Sequence, residues 1–281
     1  MIKKSVLLFL FITSLAISQT TTTTQYSQLQ QNLCKGWNTW NIHSVLSHVL
    51  LPQGIAINLG IKEYADGSYL KEALIGRSGN DQEEILPGPR SYDGSYSELI
   101  IKWQKIELKI QSAARSDTLV LLITPIKNQF KPASLIAEGG LLWGRPGYVV
   151  REKNVLKWYT DHKEIQLYST VTPVTETNIN ANTPYLALPL ENEIGLSTAG
   201  MVSLPEIKDY INQARKKVIK QENSFAADKD IYIPMHRTLA WNLIYDPENN
   251  RVIIPISRNW YWGGFVLFDW DTYFSAYMLS V

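Results

Sequence analysis

The sequence predicts a mainly β chain, an antiparallel β-sandwich, that turns helical near residue 200. Three observations carry this reading. Apolar and polar residues alternate with a period of two from Ile106 to Ile110, the pattern of a strand with one buried face. Short apolar runs recur between turn-forming clusters such as Asp66-Gly67, Pro87-Gly88-Pro89 and Asp93-Gly94. After Ser203 the apolar spacing becomes that of a helix.

The elements follow in chain order. Lys3 and Lys4 precede the apolar run Val6 to Ile12, and Ala16-Ile17-Ser18 supplies small residues. This is the form of a secretory signal peptide over residues 1–18, cleaved near Gln19. The low-complexity run Thr20 to Thr24 opens a segment, residues 19–35, expected to be a disordered mature N-terminus. Ordered sequence is expected to begin at Gly36-Trp37-Asn38-Thr39-Trp40 and to form a sandwich over residues 36–200. Leu119 to Ile123 reads as a buried strand ended by Pro125. Tyr148 to Val150, Val155 to Tyr159 and Ile165 to Val171 read as further strands separated by polar breaks.

Ser203-Leu204-Pro205-Glu206 has the form of a capping box, with Pro in the first turn. Ile207, Tyr210, Ile211, Ala214 and Val218 continue at helical spacing, and Lys216, Lys217 and Lys220 suit the C-terminal end. Residues 201–228 thus read as a helix linking two domains. A second helical stretch runs from Met235 to Tyr245 and breaks at Asp246-Pro247-Glu248-Asn249-Asn250. Arg251 to Ile256 is short and apolar, and a last helix starts near Asp269, the natural N-cap. The sequence shows no internal repeat.

Composition narrows the function classes. The 281 residues suggest about two domains, with 45% hydrophobic and 19% charged residues, an ordinary globular mix. A net charge of +1 gives no reason to expect nucleic acid or an anionic membrane as partner. The one apolar run at the N-terminus is too short for a comfortable membrane span, so no stable membrane insertion is expected after signal cleavage. The expected location is periplasmic or secreted. Cys34 is the only cysteine, which excludes an intrachain disulfide. His43, His48, His162 and His236 do not cluster at ligand spacing, so no metal and no cofactor is expected. Ser47-His48 lacks a nucleophile elbow, and Gly139-Gly140 lacks the Gly-Lys-Ser/Thr of a phosphate loop.

The candidate site is the run from Arg258 to Phe274. It crowds Arg258, Trp260, Trp262, Gly263, Gly264, Phe268, Trp270 and Asp271 together. Rings that can stack on a sugar face, beside acids that can grip hydroxyls, are what a carbohydrate pocket needs. Each residue also has a plain structural reading. Asp271 suits a first helical turn through the dipole, Arg258 suits a buried ion pair, and the tryptophans suit the caps of helices behind them. Tyr92-Asp93-Gly94-Ser95-Tyr96 is either a loop facing a pocket or a decorated hairpin.

Over this window the chain resembles glycoside hydrolase family 63 and the related mannosylglycerate hydrolase-like and trehalase-like (α/α)6-barrel glycosidases. The matching elements are Trp241-Asn242 with Tyr245-Asp246-Pro247, then Ser257-Arg258-Asn259-Trp260, Trp262-Gly263-Gly264, and the block Trp270 to Phe274. Gly36 to Trp40, Val45 to Pro52, Gly76-Arg77 and Tyr92 to Tyr96 carry a weaker likeness to the β-sandwich before the barrel. The resemblance implies a β-sandwich N-terminal domain followed by the first helices of an incomplete (α/α)6 barrel, with residues 229–281 as the start of that barrel. It implies hydrolysis of α-linked oligosaccharides or small glycosides with inversion, using two carboxyls on opposite sides of the sugar. Carried over, Asp271 becomes a sugar-hydroxyl ligand, with Phe268, Trp270, Arg258 and Trp262 around it.

The resemblance supplies neither catalytic carboxylate within this sequence. The chain is therefore expected to be an N-terminal portion, with apolar surface exposed at Leu239, Leu243, Phe274 and Tyr277. The residues after about 228 are expected to be loosely held. A secreted, non-catalytic carbohydrate-binding β-sandwich is the alternative reading.

Overall fold

The computed structural model describes residues 25, 27–38, 44–77, 82–126, 132–176, 178–255 and 268–280. In chain order the first elements are helix α1 (residues 27–33), then β1 (Gly36–Asn38), β2 (Ser47–Leu51), β3 (Ile55–Glu63), β4 (Tyr69–Leu70) and β5 (Glu84–Arg90). There follow β6 (Tyr96–Trp103), β7 (Ile106–Arg115), β8 (Thr118–Pro125), β9 (Ala133–Leu141), β10 (Tyr148–Glu152) and β11 (Val155–Tyr159). β12 (Glu164–Ser169), β13 (Tyr185–Pro189) and β14 (Ile194–Ser197) complete the large sheets. The C-terminal part comprises α2 (Leu204–Glu222), α3 (Lys229–Asn242), the hairpin β15 (Ile244–Asp246) and β16 (Arg251–Ile253), and α4 (Asp269–Ser280).

Two antiparallel sheets form a sandwich-like body. The smaller runs β1-β2-β3-β9-β13 with β4 on β3, and the larger runs β10-β11-β12-β14-β8-β7-β6-β5. Ile55, Ile57, Leu59 and Ile61 of β3 belong to the same apolar cluster as Leu108, Ile110, Leu121 and Ile123 of the larger sheet. Each such buried aliphatic side chain contributes about 1.5–3 kcal/mol by leaving water. The alternation read at Ile106, Leu108 and Ile110 is the inward face of β7, with Glu107 and Lys109 only partly covered.

Trp158 on β11 fills part of this core and donates from Nε1 to the Gly140 carbonyl at 3.0 Å. Its ring lies over Gly139 of β9, where an added Cβ would sit 2.8 Å from both Trp158 Cζ2 and Val149 Cγ1. Next door, a Cβ on Gly140 meets nothing closer than 3.5 Å. The two neighbours should therefore respond differently. Gly139→Ala is expected to destabilise by about 1–3 kcal/mol through overpacking, and Gly140→Ala by much less. Paired denaturant titrations check this, and equal midpoints for the two variants would contradict the packing described.

Helix α2 forms where its capping box predicts. Ser203 N–H donates to Glu206 Oε2 at 2.9 Å, and the Ser203 hydroxyl accepts from the Glu206 N–H. The helix does not bridge open space between domains. Ile207, Ile211 and Val218 pack on Tyr96, Ala113, Val120 and Leu122, the outer face of the larger sheet. Beneath it the Glu98 carboxylate accepts from Tyr96 Oη at 2.6 Å and Arg215 Nε at 3.0 Å. Burial opposes that charge, but the Tyr96 hydroxyl, Lys109 and Arg215 outweigh it and hold Glu98 below the usual carboxylate range.

Three expectations need correction. Residues 27–33, placed in a disordered lead, are helical. Gln30 holds β16 with both side-chain atoms, donating to Val252 O at 3.3 Å and accepting from Val252 N at 3.0 Å. Cys34 is buried beside Leu243, Tyr245 and Val252. Residues 229–253 are docked rather than loosely held, because the outer face of the smaller sheet and the edge of β5 give them apolar partners. Leu239 and Leu243 are each only 4% exposed. The helical reading over Met235 to Tyr245 also ends early: Leu243 is extended, with ψ of 134°, and Ile244 opens a strand. Among the described residues the helical part amounts to α1–α4 and the 3-10 turn Asn223–Asp228.

Candidate functional site

The predicted site residues fall on α4 and the segment before it. Arg258 and Trp262 lie outside the described residues. α4 starts at Asp269, one residue earlier than an Asp269 cap requires. Phe268 takes the capping place, its carbonyl accepting from Thr272 N at 2.9 Å and from Thr272 Oγ1 at 2.8 Å. Asp269 and Asp271 then sit in the first turn, where the helix dipole favours negative charge.

Trp270, Tyr273, Phe274 and Tyr277 recur at the spacing of one helix face. They are 75%, 72%, 64% and 67% exposed and line a shallow recess of about 510 Å³. Asp271 is half-buried, and its place three residues before Phe274 puts it on the border of that face. Phe268 is 36% exposed. The structure thus brings Trp270, Asp271 and three further rings onto one short helix beside α3. Tyr273, Phe274 and Tyr277 are not among the residues placed around Asp271 from sequence.

A second concavity was not singled out in the sequence. An open cleft of about 950 Å³ lies where α2 crosses one end of the sandwich. Its floor is the β7–β8 turn, Arg115 to Asp117, with the β2–β3 turn at Pro52 and Gln53 on one side. Lys35 enters from between α1 and β1, Trp37 from β1, Asp93 and Ser95 from the β5–β6 turn, and Tyr210 and Lys217 from α2. The loop Tyr92 to Tyr96 is therefore both a hairpin turn and a wall of this cleft. Trp37 is 1% exposed and donates from Nε1 to Asp117 O at 2.7 Å, so its ring supports the wall and offers no stacking face. No motif marks the cleft because five separated segments build it.

The remaining polar candidates have structural work. Ser47 Oγ donates to Asn58 Oδ1, while the neighbouring His48 is 3% exposed. By strand alternation His48 lies on the opposite face of β2 from Val49 and Leu51, which pack outward, so Ser47 and His48 do not form a catalytic pair. Tyr92 Oη and His236 Nδ1 are 2.6 Å apart, and Phe225 stacks on His236 at 4.9 Å between centroids. Burial pushes the Tyr92 phenol up and the His236 imidazole down, which keeps both neutral and makes them a lock between the β5–β6 turn and α3.

No described helix is long and apolar enough to cross a membrane. Comparison of the chain with protein-family models and with curated proteins finds no match.

Proposed function

We propose that this chain carries the N-terminal sandwich and part of the sugar-binding subsite of an exported inverting α-glycosidase. The residues α4 contributes would then open an (α/α)6 barrel whose catalytic carboxylates lie on segments this sequence does not carry. The carrying observation is the α4 face, with four exposed rings and the Asp271 carboxylate at its border. Aromatic faces cover the C–H surface of a pyranose, and a carboxylate accepts from sugar hydroxyls with charge-assisted hydrogen bonds. The resemblance of Trp241 to Phe274 to family 63 enzymes supports the same reading and supplies the substrate class, an α-linked oligosaccharide or small glycoside.

In this reading Asp271 positions the sugar and transfers no proton. Inverting hydrolysis needs a general acid and a general base on opposite faces of the ring. Purified chain assayed against α-linked disaccharides and aryl α-glycosides is therefore expected to give no turnover. Turnover that Asp271→Ala abolishes would recast Asp271 as the general acid.

A further inference from the structure

We propose that the cleft between α2 and the end of the sandwich is a binding site for an acidic oligosaccharide. This site is separate from the α4 face and does not rest on the glycosidase reading. Three cations converge on it from three elements: Lys35 after α1, Arg115 at the β7–β8 turn and Lys217 on α2. Each is exposed, and none has an ion-pair partner among the described residues. Of the two carboxylates among the described lining residues, Asp117 pairs with Lys163, while Asp93 accepts from the Ser95 N–H at 2.9 Å and keeps its charge, so the three cations still outnumber the one carboxylate left unpaired by a cation.

Gathering like charges around a concavity opposes itself unless an anion completes the set. The rest of the lining asks for hydroxyls. The half-buried Gln53 carries an amide on the cleft wall. Gln213, Ser95 and Tyr210 add further donors and acceptors. Trp37 is buried, so among the described lining residues Tyr210 is the one ring with a partly exposed face, which suits a hydroxylated ligand better than stacked bases. At about 950 Å³ the cleft lies at the upper end of ligand-site volumes, room for several linked sugars.

The test is binding of purified chain to a sulfated oligosaccharide, a uronic-acid oligosaccharide, a neutral α-glucan oligosaccharide and a short single-stranded DNA. Binding of one or both acidic sugars is expected, with the neutral glucan excluded from the cleft. The two acidic arms tell sulfate from carboxylate as the recognised group. Raising salt should weaken the binding, since the cations are solvent-exposed. Arg115→Gln and Lys217→Gln should each weaken it about three- to tenfold, and both together more. Both positions are exposed, so the fold should survive, and unchanged thermal melting confirms it. Asp271→Asn should leave this binding unchanged, which separates its failure from failure of the α4 subsite. The proposal is overturned if neither acidic sugar binds, if charge removal in folded variants has no effect, or if DNA binds more tightly than both sugars.

Discussion

Replacing Trp241 by alanine is expected to destabilise the chain by about 3–5 kcal/mol, the range for deleting a buried indole. Trp241 stands on α3 yet is 2% exposed and belongs to the central core between the sheets. Its Nε1 donates to the Gly88 carbonyl of β5 at 2.8 Å. The Arg90 guanidinium lies 4.9 Å from its ring centroid and donates to Ala240 O and to Asn38 Oδ1. Alanine would open a cavity, strip the Gly88 carbonyl of its donor and leave the buried Arg90 without its aromatic surface. Trp241→Phe keeps most of the volume and loses the N–H, so it should cost much less. Denaturant midpoints at constant slope measure both. A cost below about 1 kcal/mol for the alanine variant would show that α3 is not docked on the sandwich.

Acid should weaken the fold through His48. Burial between the sheets is the largest cause of its lowered pKa, Arg90's positive charge adds to it, and the Leu46 backbone offsets part, leaving the imidazole at about 4. The unfolded imidazole titrates near 6.5. Between these values the unfolded chain binds a proton that the folded chain refuses, so stability rises with pH. The contribution is fully present above about 6.5 and is lost as pH falls toward 4, amounting to about 3 kcal/mol. His236 is shifted in the same direction and adds to the same slope. His48→Leu should remove most of the pH dependence and leave a variant more stable than the natural chain near the acid end. The same slope with and without the imidazole would place the acid sensitivity elsewhere.

Sequence periodicity reveals an element only when one face meets water. β7 alternates because Glu107 and Lys109 lie on a face that is not fully covered. β2, β3 and β9 are buried on nearly every residue; for β2 and β3 the core lies on one side, and Cys34 and the β15–β16 hairpin pack on Val49, Leu51 and Ala56 on the other. Such strands carry no period to read, and the glycine at 139 that fits against Trp158 within β9 has no sequence signal of its own. The end of α3 is hidden for a related reason. Leu239, Leu243 and Ile244 are all buried, so the apolar run crosses from helix to strand without a change in composition. Among the candidate site residues, Trp270 and Asp271 are legible because they are neighbours on one helix. Lys35, Gln53, Arg115 and Lys217 are not, since only the folded sheets bring them to one cleft.

The α4 face is proposed to hold an α-linked oligosaccharide or small glycoside with Asp271 as its hydroxyl ligand. Calorimetric titration of the purified chain with α-linked oligosaccharides tests it directly, comparing the natural chain with Asp271→Asn, Trp270→Ala and the Arg115→Gln, Lys217→Gln double variant. Losing a charge-assisted hydrogen bond costs about 1.5–3 kcal/mol, so Asp271→Asn should weaken binding about ten- to hundredfold. Trp270→Ala should weaken it as well, while the cleft double variant binds as the natural chain does. Absence of saturable binding, or binding that survives both α4 substitutions, would contradict the account.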